Sequence, residues 1–139
     1  MAYATQADMV TAFGEAELIS VTTPEGAEQV AIDPDQVTMA LNVASDEMDS
    51  YLRRRYAVPV AATSPVLTRY CCVLARWVLW GKSNTSPSDA LRADRKDAIA
   101  WLSAVNNGSV TLDGAVPLNV GTDFSQVATR PPAFRGIGP

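Results

Sequence analysis

The sequence predicts a mainly α-helical fold: a small helical bundle with a short hairpin or loop insertion and an extended C-terminal arm. Three observations predict it. Two segments open with the same grammar, a capping side chain followed by proline, at Asp33-Pro34 and Ser64-Pro65. Such a pair supplies an N-cap acceptor and a residue whose fixed φ suits the first helical turn. A third segment opens at Ser86-Pro87 or Ser88. Each of the three then carries apolar residues three or four apart, the period of one helix face. A chain of 139 residues suits one domain.

Thr5 with Asp8 three residues on is a variant capping box. Met9, Val10 and Phe13 give the helix it opens an apolar face, and Gly14 is its stop. Glu15 to Ile19 adds a short second turn. Ser20-Val21-Thr22, the turn residues Pro24-Glu25-Gly26, and Gln29 to Ile32 read as a small hairpin or an ordered loop. From Asp33 the face Val37, Leu41, Ala44, Met48, Tyr51 or Leu52, and Tyr56 runs to a stop at Pro59. Asp33 and Asp35 lie at the positive end of this helix dipole and Arg53, Arg54 and Arg55 at the negative end. Asp49 and Arg53, four residues apart, are expected to pair.

The helix from Ser64 is apolar on most sides and is therefore expected at the centre. Leu67, Tyr70, Cys71, Leu74, Trp77 and Val78 form its buried face, and Gly81 stops it. The third helix carries Leu91, Ala98, Leu102 and Val105 and closes at Asn106-Asn107-Gly108. Val110 to Leu112 is a short extended piece before a turn at Asp113-Gly114. The division expected is a helical domain over 1–112 and an extended arm over 113–139. Four of the nine prolines fall in 115–139, together with the apolar residues Phe124, Val127, Phe134 and Ile137. Proline and glycine forbid a stable helix there, yet a plain linker needs no apolar anchors. The four are candidate partner-docking residues of an arm that orders on a partner.

Charge is sorted along the chain. Residues 1–49 hold ten acids and no Lys or Arg; 50–112 hold nine bases against three acids; 113–139 hold two of each. The net charge of −4 conceals this division. Two readings stand: the halves neutralise one another inside a subunit, or the acidic side of one subunit meets the basic side of the next. Arg53, Arg54, Arg55, Asp33 and Asp35 are the candidate interface residues under the second.

The chemistry available is narrow. There is no histidine, so the commonest general base and zinc ligand is missing. Asp46, Glu47 and Asp49 diverge on a helix, and no calcium loop is present. Gly81-Lys82-Ser83 matches the end of a phosphate-binding loop, but Arg76 stands where its first glycine is required. Cys71 and Cys72 are adjacent, which suits buried packing and not a staple. No catalytic, metal or cofactor site is expected, and no enzyme. The apolar run Tyr70 to Trp80 is short and broken by Arg76, so no membrane span is expected. The first residues carry no basic region and no apolar stretch of a secretory signal, which points to synthesis in a cytoplasm. Arg53-Arg54-Arg55 between Tyr51 and Tyr56 leaves a small helical DNA-binding or packaging accessory protein as the alternative function.

Several stretches together resemble the Mu-like phage head–tail connector family. They are Tyr3 to Met9, Phe13 to Ile19, Val37 to Leu41, Ala44 to Leu52 leading to Arg55-Tyr56 and Pro59, then Tyr70-Cys71 to Trp80, Leu91-Arg92 and Ala98 to Leu102. Tyr51-Leu52 to Arg55-Tyr56 is the sharpest part. The likeness spans roughly 3–112; the Val21–Ile32 loop is expanded and the tail beyond Ala115 lies outside it. The resemblance implies an adaptor in the virion neck, made in the host cytoplasm. It implies a homo-oligomeric ring of about twelve copies under the portal protein, with a tail-side neck or stopper protein as its other partner. DNA would pass through the channel without specific binding, which an acidic lumen would favour.

Overall fold

The structure is a computed structural model and describes residues 2–61, 64–82 and 86–118. Five helices follow in order: α1 (Gln6–Phe13), α2 (Glu15–Thr22), α3 (Pro34–Leu52), α4 (Pro65–Gly81) and α5 (Asp89–Asn106). No strand is present among the described residues; one isolated antiparallel bridge joins Tyr56 to Pro117.

The helix starts follow the expected grammar. Thr5 and Asp8 form a reciprocal capping box on α1. Asp33 accepts from the Asp35 N–H at 3.0 Å, Ser64 from the Leu67 N–H at 3.3 Å, and Ser88 from the Leu91 N–H at 3.2 Å. Each satisfies one amide that the helix geometry leaves without a partner. α5 ends in a Schellman motif: Gly108 N–H donates to Val105 C=O at 3.2 Å and Ser109 N–H to Ala104 C=O at 2.9 Å. α1 and α2 meet at Gly14, whose φ of 90° and ψ of 148° are open only to glycine.

α3, α4 and α5 form the body. Ser45 meets Cys71, Tyr70 stacks on Trp101 with centroids 5.0 Å apart, and Arg95 reaches Glu47 at 3.2 Å. Trp77 beside Arg95, with Tyr70 on Trp101, sets α4 antiparallel to α5; Glu47 with Arg95 and Arg55 with Asn106 set α3 alongside α5 in the same direction, so α4 runs against both. α4 is the central helix, with Leu67, Cys71, Cys72, Val73, Leu74, Ala75 and Leu79 buried. Each fully buried leucine of this kind contributes roughly 1.5–3 kcal/mol through removal of apolar surface from water. Val37, Leu41, Ala44, Met48 and Leu52 of α3 and Leu102 and Val105 of α5 complete the core as their spacing predicts. Phe13 and Val78 are only partly buried; Met9 and Leu18, both fully buried, take the inner positions on α1 and α2.

The expected hairpin is not formed. Ser20, Val21 and Thr22 are the last turn of α2, and 23–33 is an irregular loop. The expected short turn at Glu15–Ile19 is therefore a helix of 8 residues. Leu18 and Val21 bury their side chains, and the Thr22 hydroxyl donates to the Leu18 carbonyl at 2.7 Å. Packing and that back-bond outweigh the β preference of Val-Thr-Thr. Thr22 also accepts from the Asp33 N–H at 3.1 Å, which fixes the end of the loop to the start of α3.

Candidate subunit interface

The two charged candidates sit at opposite ends of α3. Nineteen residues separate them along the helix, which at about 1.5 Å per residue is roughly 28 Å. At the first end Asp33 is the N-cap and Asp35 is exposed. At the other, Arg53, Arg54 and Arg55 are all exposed, and none of them forms an ion pair among the described residues. The structure does not bring the two clusters together within one subunit.

What the three arginines do locally differs from the expectation. Asp49 and Arg53 do not pair through their charges. The Asp49 carboxylate accepts from the Tyr3 hydroxyl, and Arg53 Nε donates instead to the Asp49 carbonyl at 3.2 Å. Arg55 Nε donates to the Asn106 carbonyl at 3.1 Å, and Arg54 Nη1 to Asn106 Oδ1 at 3.4 Å. Two of the three therefore serve the carbonyl end of α5, 51 and 52 residues further along, where a cation complements the dipole. Nothing in the spacing of the sequence announces this; the parallel course of α3 and α5 creates it.

Part of the charge division is settled inside the subunit. Glu17 of α2 receives both Arg76 Nε and Nη2 at 2.7 Å. The pair is half-buried, the Arg76 guanidinium lies 4.5 Å from the Phe13 ring centre, and Asp94 stands 3.7 Å from Nη1. Arg95 joins Glu47 and lies 5.4 Å from the Trp77 ring centre. A two-pronged contact held by an aromatic face is the stronger kind of ion pair. These two links tie the acidic N-terminal half to the basic middle. Asp33 and Asp35 at one end of α3 and Arg53, Arg54 and Arg55 at the other are among the charges these links leave without an ion pair among the described residues.

The basic end is also where the C-terminal arm departs. Ala57 N–H donates to Val116 C=O at 2.9 Å and Leu118 N–H to Arg55 C=O at 3.0 Å. The Tyr56 hydroxyl accepts from the Leu112 N–H at 2.9 Å. The first residues of the arm are thus pinned beside the arginines. Val116 and Leu118 remain exposed. Phe124, Val127, Phe134 and Ile137 lie outside the described residues.

Two concavities mark the surface. A cleft of about 530 Å³ is lined largely by the polar loop 22–29 with Gln36 and Lys82. A groove of about 230 Å³ is bounded by Ala12 and Phe13 of α1, Arg69, Tyr70 and Val73 of α4, and Asp94 and Asp97 of α5. Among the described residues no group of His, Cys, Asp and Glu could hold a metal ion, and no helix is long and apolar enough to cross a membrane. Cys71 and Cys72 are free and buried. Burial raises both thiols, Cys72 to about 12, with Cys71 beside it adding to the effect. Neither is a nucleophile at neutral pH.

The profile of the family described as bacteriophage Mu, Gp36 matches residues 3–123, helices and arm start included. The chain belongs to that family. Gene product J of Escherichia phage Mu is 30% identical over 141 residues, covering 96% of this chain and 94% of the phage Mu protein. The Mu-like prophage FluMu protein gp36 of Haemophilus influenzae is 36% identical over 85 residues, 61% of this chain and 58% of that protein. This is a phage protein of the Mu Gp36 family.

Proposed function

We propose that the chain is a structural head–tail connector of a tailed phage. In this reading it forms a ring of about twelve copies in the virion neck. Portal protein sits on one side and a tail-side neck or stopper protein on the other, and DNA passes through without sequence-specific contact. The carrying observation is the pair of unlike ends left on α3, Asp33 and Asp35 against Arg53, Arg54 and Arg55. Two different complementary surfaces suit a head-to-tail contact, which closes into a ring when the rotation allows. Membership of a Mu phage family supports this reading.

Rim pairs of this kind contribute on the order of 0–1 kcal/mol each, so their role is register and exclusion of wrong contacts. The test is the full chain with Arg53, Arg54 and Arg55 all changed to Glu, incubated with portal and viewed by negative stain. The wild type is expected to give rings on the portal vertex. The triple variant is expected to give none while keeping its helical circular dichroism. A triple Lys variant controls for the loss of the Asn106 contacts. Normal rings from the Glu variant refute the electrostatic register. Salt-dependent retention of DNA by the wild type, without portal binding, would establish the packaging accessory reading instead.

A further inference from the structure

The groove between α1, α4 and α5 has the composition of a seat for a single side chain. Phe13, Tyr70 and Val73 supply apolar walls, with Val73 buried and the two rings partly exposed. Its volume, about 230 Å³, is below the roughly 300 Å³ at which small-molecule pockets begin. Its rim is charged unevenly. Asp94 and Asp97 stand on one side, one turn apart on α5, and Arg69 on the other. Asp94 already has Arg76 3.7 Å away, whereas Asp97 has no ion-pair partner among the described residues. The seat therefore suits an aromatic or aliphatic side chain with a cation beside it.

The chain carries such a segment. Residues 124–139 contain two bases, Arg130 and Arg135, and no acid. Phe134 precedes Arg135 directly, and a proline pair such as Pro131-Pro132 limits the conformations open to an unbound chain, which lowers the entropy lost on docking. The segment leaves the body at Leu118 beside Arg55, on the basic end that the connector reading sets against the next subunit. Twelve residues from 118 to 130 span up to about 40 Å, more than the length of α3.

We propose that residues 130–137 of one copy dock in the groove of the adjacent copy, with Phe134 between Phe13, Tyr70 and Val73 and Arg135 against Asp97. The proposal rests on the ring reading and names the contact that fastens neighbouring subunits. Arg69 repels Arg135 and so fixes which way the segment lies. Repetition around a closed ring raises the combined strength well beyond that of one such contact.

The experiment uses the full chain with Phe134 replaced by the photo-crosslinking p-benzoylphenylalanine, prepared in light and heavy isotopes and mixed before assembly on portal. The mass of the assembly is measured on the same sample. The expected result is rings, with light–heavy crosslinks from position 134 to residues 12–13, 69–73 or 94–97. Asp97→Arg should lower that crosslink roughly fivefold, and adding Arg135→Asp should restore it. Rings whose crosslinks fall within one chain, or elsewhere on the neighbour or the portal, overturn this docking while leaving the connector reading standing. An absence of rings overturns both.

Discussion

Replacing Tyr3 by Phe is the most incisive test of how this fold is held. Tyr3 is buried although it is the third residue of the sequence. Its hydroxyl donates to the Asp49 carboxylate at the end of α3 and accepts from the Val60 N–H at 3.0 Å. Its backbone N–H donates to Ser45 Oγ at 3.0 Å, and its carbonyl accepts from Thr68 at 3.2 Å. One residue thus joins α3, the α3–α4 connection and the first turn of α4. Phe keeps the ring and its packing, so no cavity term enters. It removes the acceptor of the Val60 N–H, and Val60 is itself buried. Leaving a buried donor unsatisfied costs about 1–3 kcal/mol. Asp49 is half-exposed and can turn to water, so its loss adds little. The expected result in urea unfolding is a fall of about 1–3 kcal/mol with an unchanged m-value, and faster hydrogen exchange at Val60. A change below about 0.5 kcal/mol with Val60 still protected would refute the clamp.

Leu74→Ala, at 1% exposure on the central helix, should cost about 2–5 kcal/mol in the same assay; a value near zero would place α4 at the surface. Gly108→Ala forces φ of +89° on a residue with a Cβ and sets that carbon 2.8 Å from the Arg55 guanidinium. A loss of about 1–2 kcal/mol is expected from the backbone alone, with displacement of Arg55 visible as a shifted Nε–H resonance. Stability should hold up to about pH 8 and fall as the pH climbs from the ordinary thiol value of 9.0 towards 12, because Cys72 resists ionising only while folded. Cys72→Val should reduce that alkaline slope, with Cys71 and Tyr3, also raised by burial, supplying the rest, and an unchanged slope in unfolding at pH 8 to 11 would assign all of it to those groups.

The helices were legible because their signals are local. Asp33-Pro34, Ser64-Pro65 and Ser88 each act within three residues, and the apolar period marks the faces of α3, α4 and α5. The failures turn mostly on contacts between distant residues. Val21 and Thr22 look like strand until Leu18 and Val21 are buried against the body. Asp49 looks like the partner of Arg53 until Tyr3, 46 residues away, takes its carboxylate. The contacts of Arg54 and Arg55 with the end of α5 depend on the packing of whole helices, so no short window reveals them. The sorting of charge was visible in full, but which charges remain free after folding depended on two pairs, Glu17–Arg76 and Glu47–Arg95, that only the bundle defines.

The pinning of the arm has a mechanical consequence. Under the connector reading proposed above, the chain is loaded along its extended arm. Tension applied beyond Leu118 is received first by the two antiparallel hydrogen bonds to Arg55 and Ala57, and then by the Tyr56 hydroxyl on Leu112. The load thus enters at the junction between α3 and α4 before it can reach α5. Arg55 grips the Asn106 carbonyl from the same junction, so α5 is braced at its last turn against unwinding from its end. The short ribbon of Arg55–Ala57 with Val116–Leu118 behaves as a strain relief, of the sort fitted where a cable enters its housing.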